Sequence, residues 1–255
     1  MNNNLGSLDA VKEHAIRSGM PADAAATLLL HEEMGFTVAY RPGTSDEGVL
    51  EHSFARDIFL SGVPEYQPCN DHVVVEVGGH LGDFALLVSR LVGRVYTIEA
   101  RQETFGLLST NLRLNTAGNV IADRLAISDS NDFVTLYHAP EGESWGDSTT
   151  LNFNGTSETV PARTLARYLF ERNIAHVDFM KFNCEGAEFP ILLSADRATL
   201  AKVSLMLVLF HGDLVEGHTG EMLAAHLRQA GFMTAIRQQY EQRGWIIATR
   251  STPVS

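Results

Sequence analysis

The pattern of apolar and polar positions changes character at about residue 70. Beyond it, short apolar runs alternate with stretches whose apolar residues recur every three or four positions. The pattern predicts strand 73–78, helix 83–92, strand 94–99, helix 102–115 and strand 120–127. It resumes with helix 163–171, strand 177–183, helix 187–194, strand 204–211, helix 219–229 and a closing hairpin of strands 232–237 and 245–249. Such alternation implies an α/β fold, a parallel sheet covered by helices on both faces. Residues 129–160 interrupt it, being rich in Ser, Thr, Asn, Gly and Asp, with 134–137 as an extra strand in an excursion near the ligand side.

Residues 1–70 read as a helical cap and connector, and residues 71–255 as the main domain. Two short helices are expected between 7 and 35, with Ser7 as N-cap, Gly19 as a stop, Pro21 at a first helical position and Gly35 as the second stop. A third, opened by the capping-box pattern Thr44-x-x-Glu47, runs to about residue 60, and Pro64 and Pro68 mark the connector.

The 255 residues suffice for one large domain, and 45% hydrophobic content is ordinary for a packed protein. The net charge of −12, from 19 basic against 31 acidic residues, argues against nucleic acid as a partner. Cys69 and Cys184 are too few for a disulfide framework. No basic stretch leads into an apolar core at the start, and the longest apolar run, 205–210, is too short for a bilayer, so a soluble cytoplasmic protein without membrane partners is expected. A self-complementary homodimer is the default assembly.

Candidate chemistry begins where the first strand runs into Glu76-x-Gly78-x-x-x-Gly82. Glycines there, Gly79 among them, permit a tight turn and close ligand approach, and the next helix offers unpaired amides. Glu76 would repel a pyrophosphate and suits a cationic amino-acid adenosine compound such as S-adenosylmethionine; alternatively it is a buried acid that shapes the loop. Glu99 ends the second strand 21 residues after Gly78, where a carboxylate accepts both ribose hydroxyls. His80 either touches the methionine end of that ligand or faces solvent. Asp123 and Ala126 lie where an adenine ring would reach, or in an ordinary loop.

Lys181 and Asn183 share one side of an otherwise apolar strand, because side chains alternate with period two. Glu185 and Glu188 follow at a spacing of three, as site carboxylates or as first-turn acids favoured by the helix dipole. Cys184 reads as packing. His211 emerges at the end of the neighbouring strand, ahead of Asp213, where it meets Asn183 and Glu185 or serves as a cap.

These residues resemble the FkbM family of S-adenosylmethionine-dependent methyltransferases. The match lies in Arg41-Pro-Gly-Thr-Ser-Asp46, in the glycine loop with Glu99, and in Asp178-Phe-Met-Lys-Phe-Asn-Cys-Glu-Gly-Ala-Glu188, near the family pattern D-F-I-K-I-D-V-E-G-A-E. The chain departs at Asn183, where aspartate is usual, and at Leu209, where glutamate is common. The resemblance implies the seven-stranded, Rossmann-like class I methyltransferase sheet, order 3-2-1-4-5-7-6 with strand 7 antiparallel. It also implies methyl transfer to a hydroxyl of a small-molecule acceptor such as a sugar or secondary metabolite, and a site contribution from Arg41 and Asp46 as an alternative to a turn role. Catechol-type relatives hold Mg2+ at the corresponding strand ends, which offer Asn183, Glu185, His211 and Asp213 here; without metal, His211 is the general base. Rival readings are a nicotinamide-dependent oxidoreductase, whose three-glycine spacing is absent, and an inactive cofactor-binding scaffold, motivated by the two departures. The helical cap, the segment Ser144-Trp-Gly-Asp-Ser148 and the carboxyl-terminal hairpin are expected to shape the acceptor pocket, with Trp145 stacking on a ring or partly buried in the core.

Overall fold

The computed structural model describes residues 5–140 and 146–250, so Ser144 and Trp145 lie outside the described residues. Helix α1 (Leu8–Arg17) starts as expected, with the Ser7 hydroxyl accepting from the Ala10 amide at 3.2 Å. Helix α2 (Ala22–Thr27) follows Pro21, which caps it rather than opening its first turn. The expected helix up to Gly35 is corrected: β1 (Leu29–Glu33) and β2 (Phe36–Tyr40) form an antiparallel hairpin. Met34 and Gly35 both take positive φ, 52° and 74°, the two-residue turn whose twist matches paired strands. Tertiary bonding then holds β2. Asn111 and Asn115, one helical turn apart, bracket it with amide contacts to Ala39 and Thr37 at 2.7–3.0 Å.

The third expected helix is broken. Helix α3 (Asp46–Leu50) passes into a π-helical turn at Glu51–Ala55, and α4 (Ile58–Ser61) begins only after Asp57 takes a left-handed conformation, φ 44°.

The main domain runs β3 (Val73–Val77), α5 (Asp83–Ser89), β4 (Arg94–Glu99), α6 (Gln102–Leu114), β5 (Val120–Arg124), β6 (Ala126–Ser128), β7 (Asp132–Tyr137), β8 (Ser157–Thr164) and α7 (Leu165–Glu171). It continues with β9 (Val177–Phe182), α8 (Glu188–Ser194), α9 (Arg197–Leu200), β10 (Val203–His211), α10 (Gly220–Gln229), β11 (Met233–Tyr240) and β12 (Arg243–Thr249). Seven strands form one sheet in the order β11-β12-β10-β9-β3-β4-β5, with β12 antiparallel to both neighbours. Numbered from β3 as strand 1, this is 3-2-1-4-5-7-6 from the β5 edge, the class I methyltransferase sheet. Two expectations fail nearby. The single strand at 120–127 is split, because β6 leaves the sheet for a second one ordered β6-β8-β7, and β8 takes the place of the expected loop and helix start. Pro161 and the polar run around it hide β8, whose pairing with β7 is non-local.

Both faces of the central strands are buried, and their alternation sorts the core. Val75, Val77, Met180, Phe182, Met206 and Val208 meet α7, α8 and α10 on one face. Val74, Phe179, Leu205 and Leu207 meet Phe59, Phe84 and Trp245 on the other. Each such buried aromatic contributes about 1.5–3 kcal/mol over an exposed one. Glu76, Thr97 and Lys181 are the polar exceptions on the second face, in adjacent register across β4, β3 and β9. A third cluster joins Val11, Phe36, Val38 and Phe54 to Leu81, Leu107 and Leu108, so the first 60 residues share a core with the glycine loop and α6.

Candidate active site

A cavity of about 480 Å³ opens at the carboxyl ends of β3, β4, β9 and β10, where open α/β sheets take ligands. Its floor is the glycine loop. Gly78 has φ 88°, and a Cβ there would lie 1.9 Å from the Asn183 carbonyl oxygen, so only glycine fits. Gly78 lines the cavity, whereas Gly79 packs on Thr97 and Leu108 and Gly82 caps α5 with φ 79°.

Glu99 lines the cavity at the end of β4. Its carboxylate accepts from the His80 amide at 3.0 Å and the Arg101 amide at 2.9 Å, which fixes its orientation. Burial pushes its pKa up to about 7 against those two amides, with Asp147 adding to the rise. A fixed carboxylate beside the apolar wall of Leu125, Ala126 and Ile127 has the form of a ribose-and-base site. These residues fit an adenosyl group. The His80 ring also lines the cavity, its Nε2 3.5 Å from Asp46.

Four other residues nominated for the cofactor do not line the cavity. Glu76 is buried, bonded to the Lys181 ammonium at 2.9 Å and the Thr97 hydroxyl at 2.8 Å. Burial raises its pKa to about 7 even so, because Lys181 offsets only part of the desolvation. Asp123 accepts from the Tyr168 hydroxyl and Arg172 Nε, both at 2.8 Å. Arg41 grips Asp46 through Nε and a terminal nitrogen at 2.9 and 3.0 Å and reaches Glu103 at 2.9 Å, bracing the segment behind His80.

The opposite end of the cavity is built around His211. Glu188, fully buried at the start of α8, accepts from the His211 backbone amide at 2.7 Å and faces Nδ1 at 3.1 Å. A carboxylate only accepts, so Nδ1 carries the proton and Nε2 is left for the cavity. Nε2 lies 3.4 Å from Glu185, held in a left-handed turn at φ 49°. Burial lowers the His211 pKa, but the Glu188 hydrogen bond and the charges of Glu185 and Glu188 outweigh it, leaving it above the ordinary value. Burial raises the Glu185 pKa, with His211 opposing. Cys184 points at Glu188, and burial holds its thiol far above the usual range, which suits packing.

Lys181 and Asn183 also line the cavity; the Asn183 backbone amide donates to the Val77 carbonyl at 3.0 Å, and among the described residues its side-chain amide has no hydrogen-bond partner. Asp213 does not line it. Both its oxygens bind Arg243 at 2.8–3.0 Å, and Arg243 itself faces the cavity. The Arg243 guanidinium occupies both Asp213 oxygens, so Asp213 has none to spare for a magnesium ion, and Asn183 offers a neutral oxygen where a carboxylate would be the stronger ligand. The expected metal set of Glu185, His211 and Asp213 is therefore not assembled.

Several lining residues are not singled out individually by the sequence, although the cap, the Ser144–Ser148 segment and the closing hairpin are expected around the pocket. Asp83, buried under the Ser53 hydroxyl, was legible only as a first-turn acid. Asp147, within the expected pocket-shaping segment, holds Arg101 at 3.0 Å and the Ala139 amide at 2.8 Å. Trp245, Gln238 and Arg56 reach the cavity from elements distant in sequence.

Residues 76–234 match the family described as the methyltransferase FkbM domain. The chain belongs to the FkbM methyltransferase family. This FkbM protein is 26% identical to the AMB antimetabolite synthetase AmbE of Pseudomonas aeruginosa over 66% of the chain, spanning only 10% of that protein's length. Among solved structures it is similar to precorrin-6y C5,15-methyltransferase from Geobacter metallireducens, at 14% identity and a TM-score of 0.46 over 77% of this chain and 89% of that one. It is also similar to a putative O-methyltransferase from Klebsiella pneumoniae, at 14% identity and a TM-score of 0.44 over 96% and 90%. Likenesses this loose add nothing to the FkbM assignment.

Proposed function

We propose that this FkbM protein is an S-adenosylmethionine-dependent O-methyltransferase that methylates a hydroxyl of a small molecule. The observation that carries the reading is one cavity with Glu99 at one end and the oriented His211 at the other. Glu99 would accept the ribose hydroxyls, Leu125, Ala126 and Ile127 would flank the base, and Gly78 would admit the methionine portion. When bound, S-adenosylmethionine supplies an electrophilic methyl group on a sulfonium. His211 Nε2 takes the acceptor's hydroxyl proton as the oxygen–carbon bond forms and the sulfur–carbon bond breaks. Glu188 and Glu185 stabilise the resulting imidazolium. General-base catalysis of this kind contributes about 10²–10⁴-fold, and positioning supplies much of the rest.

Calorimetric titration with S-adenosylhomocysteine and with NAD tests the donor; binding of NAD alone sinks the reading in favour of an oxidoreductase. Incubation with methyl-labelled S-adenosylmethionine and a small-molecule extract tests the chemistry. Label in an ether that survives mild base and is lost in His211→Ala is the expected result; binding of the donor with no transfer to any fraction points to a scaffold.

A further inference from the structure

The charged groups lining the cavity are almost all compensated. Lys181 is paired with Glu76, Arg243 with Asp213, and His211 with Glu185 and Glu188. Glu99 holds two amides, Asp147 holds Arg101, and Asp83 holds Ser53. Among the described residues, Arg56 is the lining guanidinium with no anionic or hydrogen-bonding partner. Arg56 is exposed at the cavity rim, so its charge is solvated rather than stranded, and in a chain of net charge −12 it is an unspent guanidinium open to an incoming anion.

Local backbone puts it there. The wide π turn at Glu51–Ala55 and left-handed Asp57 bracket Arg56, and both are uncommon conformations that recur at functional sites. The segment also crosses the cavity in a definite direction. Asp46 meets His80 at the donor loop, Ser53 meets Asp83, and Phe59 stacks on Trp245 with ring centroids 6.0 Å apart. In the chain Arg56 falls between the last two contacts, on the stretch that leads from the glycine loop to Trp245, whose strand pairs with the strand that ends in His211.

We propose that Arg56 binds an oxyanion of the acceptor, so that the substrate is a hydroxylated compound bearing a carboxylate or phosphate. This rests on the methyltransferase reading, in which the His211 end receives the acceptor. The guanidinium would fork onto two oxygens and fix the hydroxyl at His211 Nε2, which positions the nucleophile without taking part in the proton transfer.

The test uses protein first saturated with S-adenosylhomocysteine and then titrated with matched probes: 3-hydroxybutyrate against its amide, and glycerol 3-phosphate against glycerol. The anionic member of at least one pair is expected to bind about tenfold tighter, the size of one charge-assisted contact. Arg56→Gln should abolish that preference, Arg56→Lys should keep part of it, and neither should move S-adenosylhomocysteine affinity more than about twofold. The pair that responds distinguishes carboxylate from phosphate. Equal binding within both pairs, or a preference that survives Arg56→Gln, overturns the proposal. So does loss of S-adenosylhomocysteine affinity in Arg56→Gln with 5′-methylthioadenosine affinity intact, which would assign the arginine to the donor's carboxylate. Failure of the wild type to bind S-adenosylhomocysteine at the first step would instead defeat the underlying methyltransferase reading.

Discussion

Glu76–Lys181 and Glu188–His211 are both buried carboxylate–cation pairs at the carboxyl end of the same sheet, yet they do different things. Glu76 and Lys181 sit side by side on β3 and β9, with Phe59 and Phe84 against the ammonium at 4.6 and 5.2 Å. Every strong bond of Glu76 points to the protein. His211 spends Nδ1 on Glu188, and its second nitrogen, 3.4 Å from Glu185, lies at the cavity wall, where both residues are open to a ligand. The same pairing of charges thus gives a strut in one place and a poised base in the other. What separates them is whether a titratable atom is left over.

The sharpest test of the strut is Lys181→Met, expected to cost about 3 kcal/mol in urea unfolding at neutral pH because it strands a buried carboxylate. Glu76→Gln added to it should recover most of that loss. If Lys181→Met instead leaves stability unchanged, the strut is not one. For the base, His211→Ala should lower turnover about 10²-fold or more while leaving S-adenosylhomocysteine affinity unmoved. Unaltered turnover removes His211 from the mechanism.

Glu188→Gln sharpens the comparison by removing one charge beside His211. Turnover needs neutral His211, so it should rise with pH through the raised His211 pKa, and in the variant that limb should move to lower pH. A limb that stays put denies the Glu188 role. At the donor end, Glu99→Gln should weaken S-adenosylhomocysteine by about tenfold through weaker hydrogen bonds. It should also erase the gain in wild-type affinity expected as pH rises through about 7, where Glu99 ionises.

The remaining effect is on the pH dependence of stability. Glu76 and Glu99 have folded pKa values raised from 4.5 to about 7, so between those values the folded state holds more protons than the unfolded one. Their contribution to stability therefore falls as pH rises from 4.5 through 7. A melting temperature in the unliganded protein that drops over this window, less steeply in Glu76→Gln, is the expected outcome.

Some of this was readable along the chain. The apolar run at Val73–Val77 and the glycines after it announced the loop, and Glu99 at its spacing announced the carboxylate that faces the cavity. Asn183, Glu185 and His211 were placed at neighbouring strand ends, where they are found. Glu76 and Asp123 looked equally eligible, since a carboxylate near a strand end reads the same whether it faces a ligand or a partner. Lys181, 105 positions from Glu76, and Arg172, 49 from Asp123, decided otherwise. The hairpin at 29–40 was lost for a similar reason, because Asn111 and Asn115 hold β2 from a distant helix.

The sequence by itself determined the order of strands and helices, the glycine turn and the residue types at the strand ends, because periodicity, φ restrictions and short spacings are local properties. Only the tertiary structure decided which carboxylates are spent on a neighbour, that Asp213 is locked to Arg243, and that Arg56 lines the cavity without a partner among the described residues. Those outcomes depend on distances between residues far apart in the chain, and desolvation and charge compensation act through space.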